Sequence, residues 1–156
     1  MRRLAALHAA VLALLVAAPA HADSLTYVNE RFGTTVTFPA ELFDTRLRPP
    51  DNGDGMTWTS PDGASLAVYG TNNVRDLDPA GLADEVGATP GVEITYRKVG
   101  KGWAVVSGFQ DGLIFYQRFE FGADNVIHVV LIKYPKAQHA RYDHASGEIA
   151  GSLGGP

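Results

Sequence analysis

From residue 25 onward, apolar and polar residues alternate with a period of two, which commits most of the chain to half-buried β-strands. Thr34-Thr35-Val36-Thr37-Phe38, Met56-Thr57-Trp58-Thr59, Leu66-Ala67-Val68-Tyr69 and Val92-Glu93-Ile94-Thr95-Tyr96-Arg97 all follow it. Trp103 to Phe109 and Leu113 to Phe121 are longer runs. Val126 to Tyr134 is apolar on both faces until Lys133, the pattern of a central strand. A shorter strand, Leu25 to Asn29, is expected to pair with Thr34 to Phe38 across Arg31-Phe32-Gly33.

The connections decide how these strands pair. Pro61-Asp62-Gly63, Gly100-Lys101-Gly102, Gln110-Asp111-Gly112 and Gly122-Ala123-Asp124-Asn125 combine turn-starting residues with residues that tolerate positive φ. They are too short for a parallel crossover, so the strands they join are antiparallel neighbours. Met56–Ser60 therefore pairs with Ser65–Gly70. Val92–Lys98, Trp103–Phe109, Leu113–Phe121 and Val126–Tyr134 form a four-strand meander.

Helices are few. Pro39 to Phe43 suits a single turn. Asp78-Pro79 supplies an N-cap acid and an N1 proline, and Leu82, Ala83 and Val86 line one face before Gly87. After Tyr134-Pro135, Ala137, Ala140, Arg141, His144, Ala145, Ile149 and Leu153 recur at helical spacing. Gly154-Gly155-Pro156 reads as a disordered tail. Within Leu113–Phe121, Leu113, Phe115, Phe119 and Phe121 share a face, with Gln117 the exception. Such an apolar face needs a cover, and the C-terminal helix is the expected lid. The predicted class is α+β: an antiparallel meander sheet covered by a C-terminal helix and a short second helix.

The N-terminal 22 residues stand apart from this pattern. Met1-Arg2-Arg3 is a positive head, Leu4 to Ala18 is almost wholly apolar, and Ala20-His21-Ala22 offers small residues at −3 and −1. That is the anatomy of a cleaved secretory signal peptide, 1–22, placing a single domain, 23–153, in the periplasm or outside the cell. The apolar run is shorter than the roughly 20 residues needed to span a membrane. Arg2-Arg3 lacks the flanking Ser and Phe-Leu of a twin-arginine signal, so general secretion is expected. Without those two arginines, 11 basic residues face 17 acidic ones, a net charge of −6 instead of −4. With no basic cluster, that balance argues against nucleic acid and anionic lipid as partners. The absence of cysteine excludes a disulfide framework, a thiol nucleophile and a lipoprotein anchor.

A resemblance runs along almost the whole mature chain. Its residues are Tyr27-Val28-Asn29-Glu30-Arg31-Phe32-Gly33 leading into Val36-Thr37-Phe38-Pro39, then Asn52-Gly53-Asp54-Gly55, Ser60-Pro61-Asp62-Gly63 and Val68-Tyr69-Gly70. Tyr134-Pro135, Tyr142-Asp143, Ile149 and Ser152-Leu153 complete it. In this layout the chain resembles a group of exported proteobacterial proteins that share the α/β sandwich of the photosystem PsbP protein and the Ran-binding Mog proteins. The resemblance implies a binding or assembly module, not an enzyme, and carries no active site to transfer.

Candidate chemistry is sparse. Asp51, Asn52 and Asp54 put oxygen ligands on a glycine-rich turn, as calcium requires, but lack the EF-hand spacing and its bidentate glutamate; an Asx/glycine turn is the expectation. His139 and Asp143 are i,i+4, a spacing open to a hydrolytic pair or to a plain surface pair. Ser107-Gly108 lacks a nucleophile elbow and reads as a packing position. Gly81, Gly87 and Gly91 form no dinucleotide or phosphate loop, so no cofactor is expected. What remains is surface: Tyr69, Tyr116, Arg118 and Arg97 on the polar strand faces, or Arg46 and Arg48 in the 44–55 loop. Tyrosine and arginine bury area while keeping polar handles, which suits contact with a cell-envelope protein. The alternatives are a carrier with a pocket for a small apolar ligand between sheet and helices, and a hydrolase built on His139–Asp143.

Overall fold

The computed structural model describes residues 23–156; the expected signal peptide, 1–22, lies outside the described residues. The strands are β1 (Ser24–Val28), β2 (Thr35–Pro39), β3 (Thr45–Arg46), β4 (Gly55–Thr59), β5 (Ser65–Asn72), β6 (Val92–Gly100), β7 (Trp103–Gln110), β8 (Leu113–Phe121) and β9 (Val126–Pro135). Two α-helices, α1 (Pro79–Gly87) and α2 (His139–Gly151), complete the α+β fold. β1 and β2 form a separate hairpin, and the others make a seven-stranded antiparallel sheet in the order β3-β4-β5-β9-β8-β7-β6. The expected β4–β5 hairpin and the four-strand meander are both present. β3, two residues long, interrupts the 44–55 loop and was not expected.

The cross-strand registers fix which side chains share a face. Tyr69 lies opposite Val129, Val129 opposite Phe119, and Phe119 opposite Ala104, so all four point to one side of the sheet. On this first face Phe115, Phe119, Ile127 and Val129 form a core closed by Leu82, Ala83 and Val86 of α1. On the second face Trp58, Leu66, Val68, Val130, Ile132 and Tyr134 pack with Val36 and Phe38 of β2 and with Tyr142 and Ile149 of α2.

The expected lid is therefore corrected: α1, not α2, covers the face of Phe115 and Phe119. α1 is tethered four residues before β6 and folds back over the strands nearest it, whereas α2 leaves β9 on the opposite side. The second core is filled by rings, with centroids 5.0 Å apart for Phe38–Trp58, 5.6 Å for Phe43–Tyr142 and 5.3 Å for Tyr134–Tyr142.

Local chemistry holds the ends. Asp78 caps α1 by accepting from the Gly81 N–H at 2.7 Å, with Pro79 at the first helical position, as expected. Opposite the bulge between Ile94 and Tyr96, a side chain on Gly108 would overlap the Glu93 carbonyl, which makes it the packing position that its neighbours suggested. The disordered tail expected at 154–156 is corrected. Gly154 exchanges backbone hydrogen bonds with Thr35 at 2.8 and 3.0 Å, and the Pro156 carbonyl accepts from the Ala123 N–H at 2.8 Å. Glycine enrichment there answers a steric need, because a side chain on Gly155 would overlap the His128 ring. No helix among the described residues is long and apolar enough to cross a membrane.

α2 is pinned to the β4–β5 turn through Asp62. The buried Tyr142 hydroxyl lies 3.0 Å from each Asp62 carboxylate oxygen, and Arg141 approaches Asp62 at 3.4 Å. Burial alone would raise the Asp62 pKa. Hydrogen bonds from Ser60, Tyr142 and the Ala64 N–H, with Arg141, outweigh it and hold the carboxyl below its ordinary 3.8. That stabilisation is present above the ordinary value and is lost as pH falls through the lowered one. Tyr142→Phe should cost about 1–2 kcal/mol at neutral pH, read by urea denaturation. The difference from the parent should shrink in acid; a constant difference at every pH would show that Asp62 is not the anchor.

Candidate functional site

On the second face α2 reaches β9 and β8, where Ile114 and Tyr116 pack against its core, and β6 and β7 lie beyond it. Rows run across β6, β7 and β8: Gly100–Trp103–Glu120, then Lys98–Val105–Arg118, then Tyr96–Ser107–Tyr116, with Phe109 opposite Ile114 beyond. The two-residue turn Lys101-Gly102 sets this register, and Tyr96 and Lys98, two residues apart in unbroken pairing with β7, share a side. Tyr96 is 48% exposed, while Trp103, Phe109, Tyr116 and Arg118 are half-buried.

Cations cover the rings of Trp103 and Phe109. The Arg118 guanidinium sits 4.9 Å and the Lys98 ammonium 5.8 Å from the centre of the Trp103 ring. Lys136, just after β9, places its ammonium 4.1 Å from the centre of the Phe109 ring. Each contact is a cation–π attraction worth about 0.5–1 kcal/mol at exposed sites. Arg118 also donates to Glu120, with Nε at 3.0 Å. Of the neighbouring acids, Glu120 is thus engaged, Asp143 on α2 faces His139, and Glu93 is exposed at the start of β6. Among the described residues Lys98 and Lys136 have no carboxylate partner. Burial pushes the Tyr116 phenol up, and nearby Tyr96 and Asp143 add to the shift while Arg118 opposes it.

The structure divides the surface residues read from sequence. Tyr116 and Arg118 lie on this open face. Tyr69 and Arg97 point to the other side of the sheet. Tyr69 is half-buried beside the α1 core, where burial raises its pKa and a hydrogen bond with Gln117 partly offsets the shift. That contact accounts for the polar exception at Gln117. Arg97 ties β6 to α1 by donating to the Ala80 carbonyl at 3.1 Å and to Asp84 at 2.8 Å. Tyr96, Lys98, Trp103, Phe109 and Lys136 were missed. The turn at Lys101-Gly102 carried the signal for three of them, since it sets Trp103, Lys98 and Tyr96 on one side.

The loop candidates are held locally. Arg46 directs Nε at the Met56 sulfur at 3.3 Å, and exposed Arg48 meets Asp51 at 3.3 Å. Asn52 donates to Asp54 at 2.7 Å, while the Asn52 and Gly53 carbonyls accept from Arg31 and Asn29. These are the contacts of a turn, and no group of three or more metal-ligating His, Asp or Glu gathers among the described residues. His139 Nε2 lies 3.3 Å from Asp143 Oδ1, both exposed on α2, and among the described residues no serine hydroxyl hydrogen-bonds to that histidine.

His128, 1% exposed, is a buried titratable group of the second face. Its Nδ1 is 2.8 Å from the Thr34 hydroxyl, and Nε2 faces the Pro156 carbonyl without a well-aligned hydrogen bond. Clefts of about 370 Å³ and 380 Å³ flank Pro156 at this corner. Burial lowers the His128 pKa from its ordinary 6.5, with the Pro156 carbonyl and the cross-strand Glu120 opposing. The unfolded chain therefore binds a proton that the native state resists. Stability should be full above about pH 6.5 and fall as pH drops toward the lowered value, by at most ~1.4 kcal/mol per pH unit. Urea titrations from pH 7 to 5 should show this slope in the parent and its loss in His128→Gln. An equal slope in both would place the effect elsewhere.

No family model matches the chain, and no curated protein matches it. Among solved structures it is similar to the cyanobacterial PsbP protein CyanoP from Synechocystis, with TM-score 0.62 at 11% identity over 90% of this chain and 96% of that one. It is also similar to a protein from Bacteroides thetaiotaomicron, with TM-score 0.50 at 11% identity; this chain covers 48% of that protein's structure, and 85% of this chain is matched. The likeness shows a PsbP-like fold.

Proposed function

We propose that the protein is an exported, non-enzymatic binding or assembly module of the cell envelope, periplasmic or secreted, that docks a protein partner on the open face of β6–β8. One observation carries the reading: Tyr96, Trp103, Phe109 and Tyr116 share a sheet face on which cations alone lie over Trp103 and Phe109, Tyr96 is exposed, and Tyr116 sits at the margin of the second core. A helix or a partner is the usual cover for such a face. Trp, Tyr and Arg are also the residues that dominate binding energy at interfaces. The resemblance to PsbP-like and Mog-like modules supports the same role. The 44–55 loop is the weaker contact candidate, since Arg46 and Arg48 already have partners within it or beside it. A carrier for an apolar ligand would need room between the layers, where Phe38, Phe43, Trp58, Tyr134 and Tyr142 are in ring contact.

The test is affinity purification from envelope extracts with mass spectrometry. Trp103→Ala and Lys98→Glu should each lower recovery of a reproducible partner at least tenfold, as expected for losing more than about 1.4 kcal/mol at a hot spot. Arg48→Glu in the loop should leave recovery unchanged. Partner loss with Arg48→Glu alone would move the contact to the loop. A co-eluting small molecule with no protein would favour the carrier.

A further inference from the structure

We infer that the partner presents an extended acidic segment along β7, with two carboxylates four residues apart. The inference rests on the open face being the contact surface. Two cationic stations bracket that face. The first is Lys98, with Arg118 beside it, in the row of Val105. The second is Lys136, held over the ring of Phe109. Val105 and Phe109 are four residues apart on one strand and point the same way, so the stations are separated by about 13 Å along β7 at ~3.4 Å per residue. Between them lies the row Tyr96–Ser107–Tyr116, uncharged and aromatic at both ends.

An extended segment lying on the sheet turns every second side chain toward it. Residues i, i+2 and i+4 of the segment therefore meet the three rows in turn. Carboxylates at i and i+4 reach the stations, and an aromatic or aliphatic residue at i+2 meets the tyrosines. Adjacent carboxylates cannot serve both stations, because neighbouring side chains in a strand point to opposite sides. Charge supports an acidic occupant. Lys98 and Lys136 have no carboxylate partner among the described residues, while residues 23–156 carry 17 acidic against 11 basic residues, which disfavours an acidic segment elsewhere. The same excess opposes an anionic bilayer, against which three cations would have to outweigh the whole chain.

Two synthetic peptides of one composition test the spacing against the purified protein. One is Ser-Glu-Thr-Phe-Thr-Glu-Ser and the other Ser-Thr-Glu-Glu-Phe-Thr-Ser, both with blocked ends. Binding is read by backbone-amide chemical shifts, with phosphatidylglycerol vesicles as a third arm. The first peptide should bind at least tenfold more tightly than its isomer and shift amides of β6, β7 and β8. Lys98→Glu and Lys136→Glu should each abolish the preference. Equal binding of the two peptides, binding of neither, or binding to vesicles alone would overturn the inference. The proposed function would still stand in those cases if Trp103→Ala loses the envelope partner, and would fall with the inference if it does not.

Discussion

β9 is buried on both faces from Ile127 to Val130 and again at Ile132 and Tyr134, and the rest of the molecule is arranged around that constraint. Ile127 and Val129 must be covered on one side, and His128, Val130, Ile132 and Tyr134 on the other. The helices available are short: 9 and 13 residues, hence about 13 and 20 Å long. A sheet of seven strands at ~4.8 Å spacing is close to 29 Å across. Two such helices cannot cover both faces of it. α1 closes the first face with help from bulky Phe115 and Phe119. On the second face, α2 and the β1–β2 hairpin close the region of β4, β5 and β9. α2 reaches the near edge of β8, and β6 and β7 are left open.

The open region solves its exposure with side chains. Lysine and arginine lay their methylene stems on apolar surface while their charged heads stay in water. Over Trp103 and Phe109 they form a cover that can be moved aside at small cost, since each cation–π contact is worth about 1 kcal/mol or less at an exposed site. The same heads can then meet carboxylates of an incoming chain. A buried helix could not be displaced so cheaply, because its removal would uncover a core. Fold and proposed binding surface are thus two consequences of one shortage of cover.

Much of the fold was legible because its rules are local. Period-two alternation marked the strands, the turn residues at Pro61-Asp62-Gly63 and Gln110-Asp111-Gly112 set the antiparallel neighbours, and Asp78-Pro79 announced α1. What stayed hidden depends on pairing between distant segments. The β5–β9 register places Tyr69 beside Val129, away from Tyr116, and nothing near residue 69 encodes that. The cover for the face of Phe115 and Phe119 was misjudged for a related reason: the core under α2 is assembled from β2, β4, β5 and β9, while Phe115 and Phe119 advertise only the other one. The chain end looked disordered from its glycines, whose purpose appears only once His128 is seen against Gly155. The candidate site was half legible. Tyr116 and Arg118 were found from strand parity, whereas Lys136 reaches Phe109 from the far end of β9 and has no local signal.

Site-specific photo-crosslinking in cells that express the protein probes the central claim most directly. A photoreactive phenylalanine analogue at Tyr96, in the middle of the open face, should give a discrete protein adduct. The same analogue at Val74, the exposed tip beyond β5, or at Leu47 in the 44–55 loop should give none. An adduct from Val74 or Leu47 with none from Tyr96 would contradict the assignment of the open β6–β8 face as the docking surface.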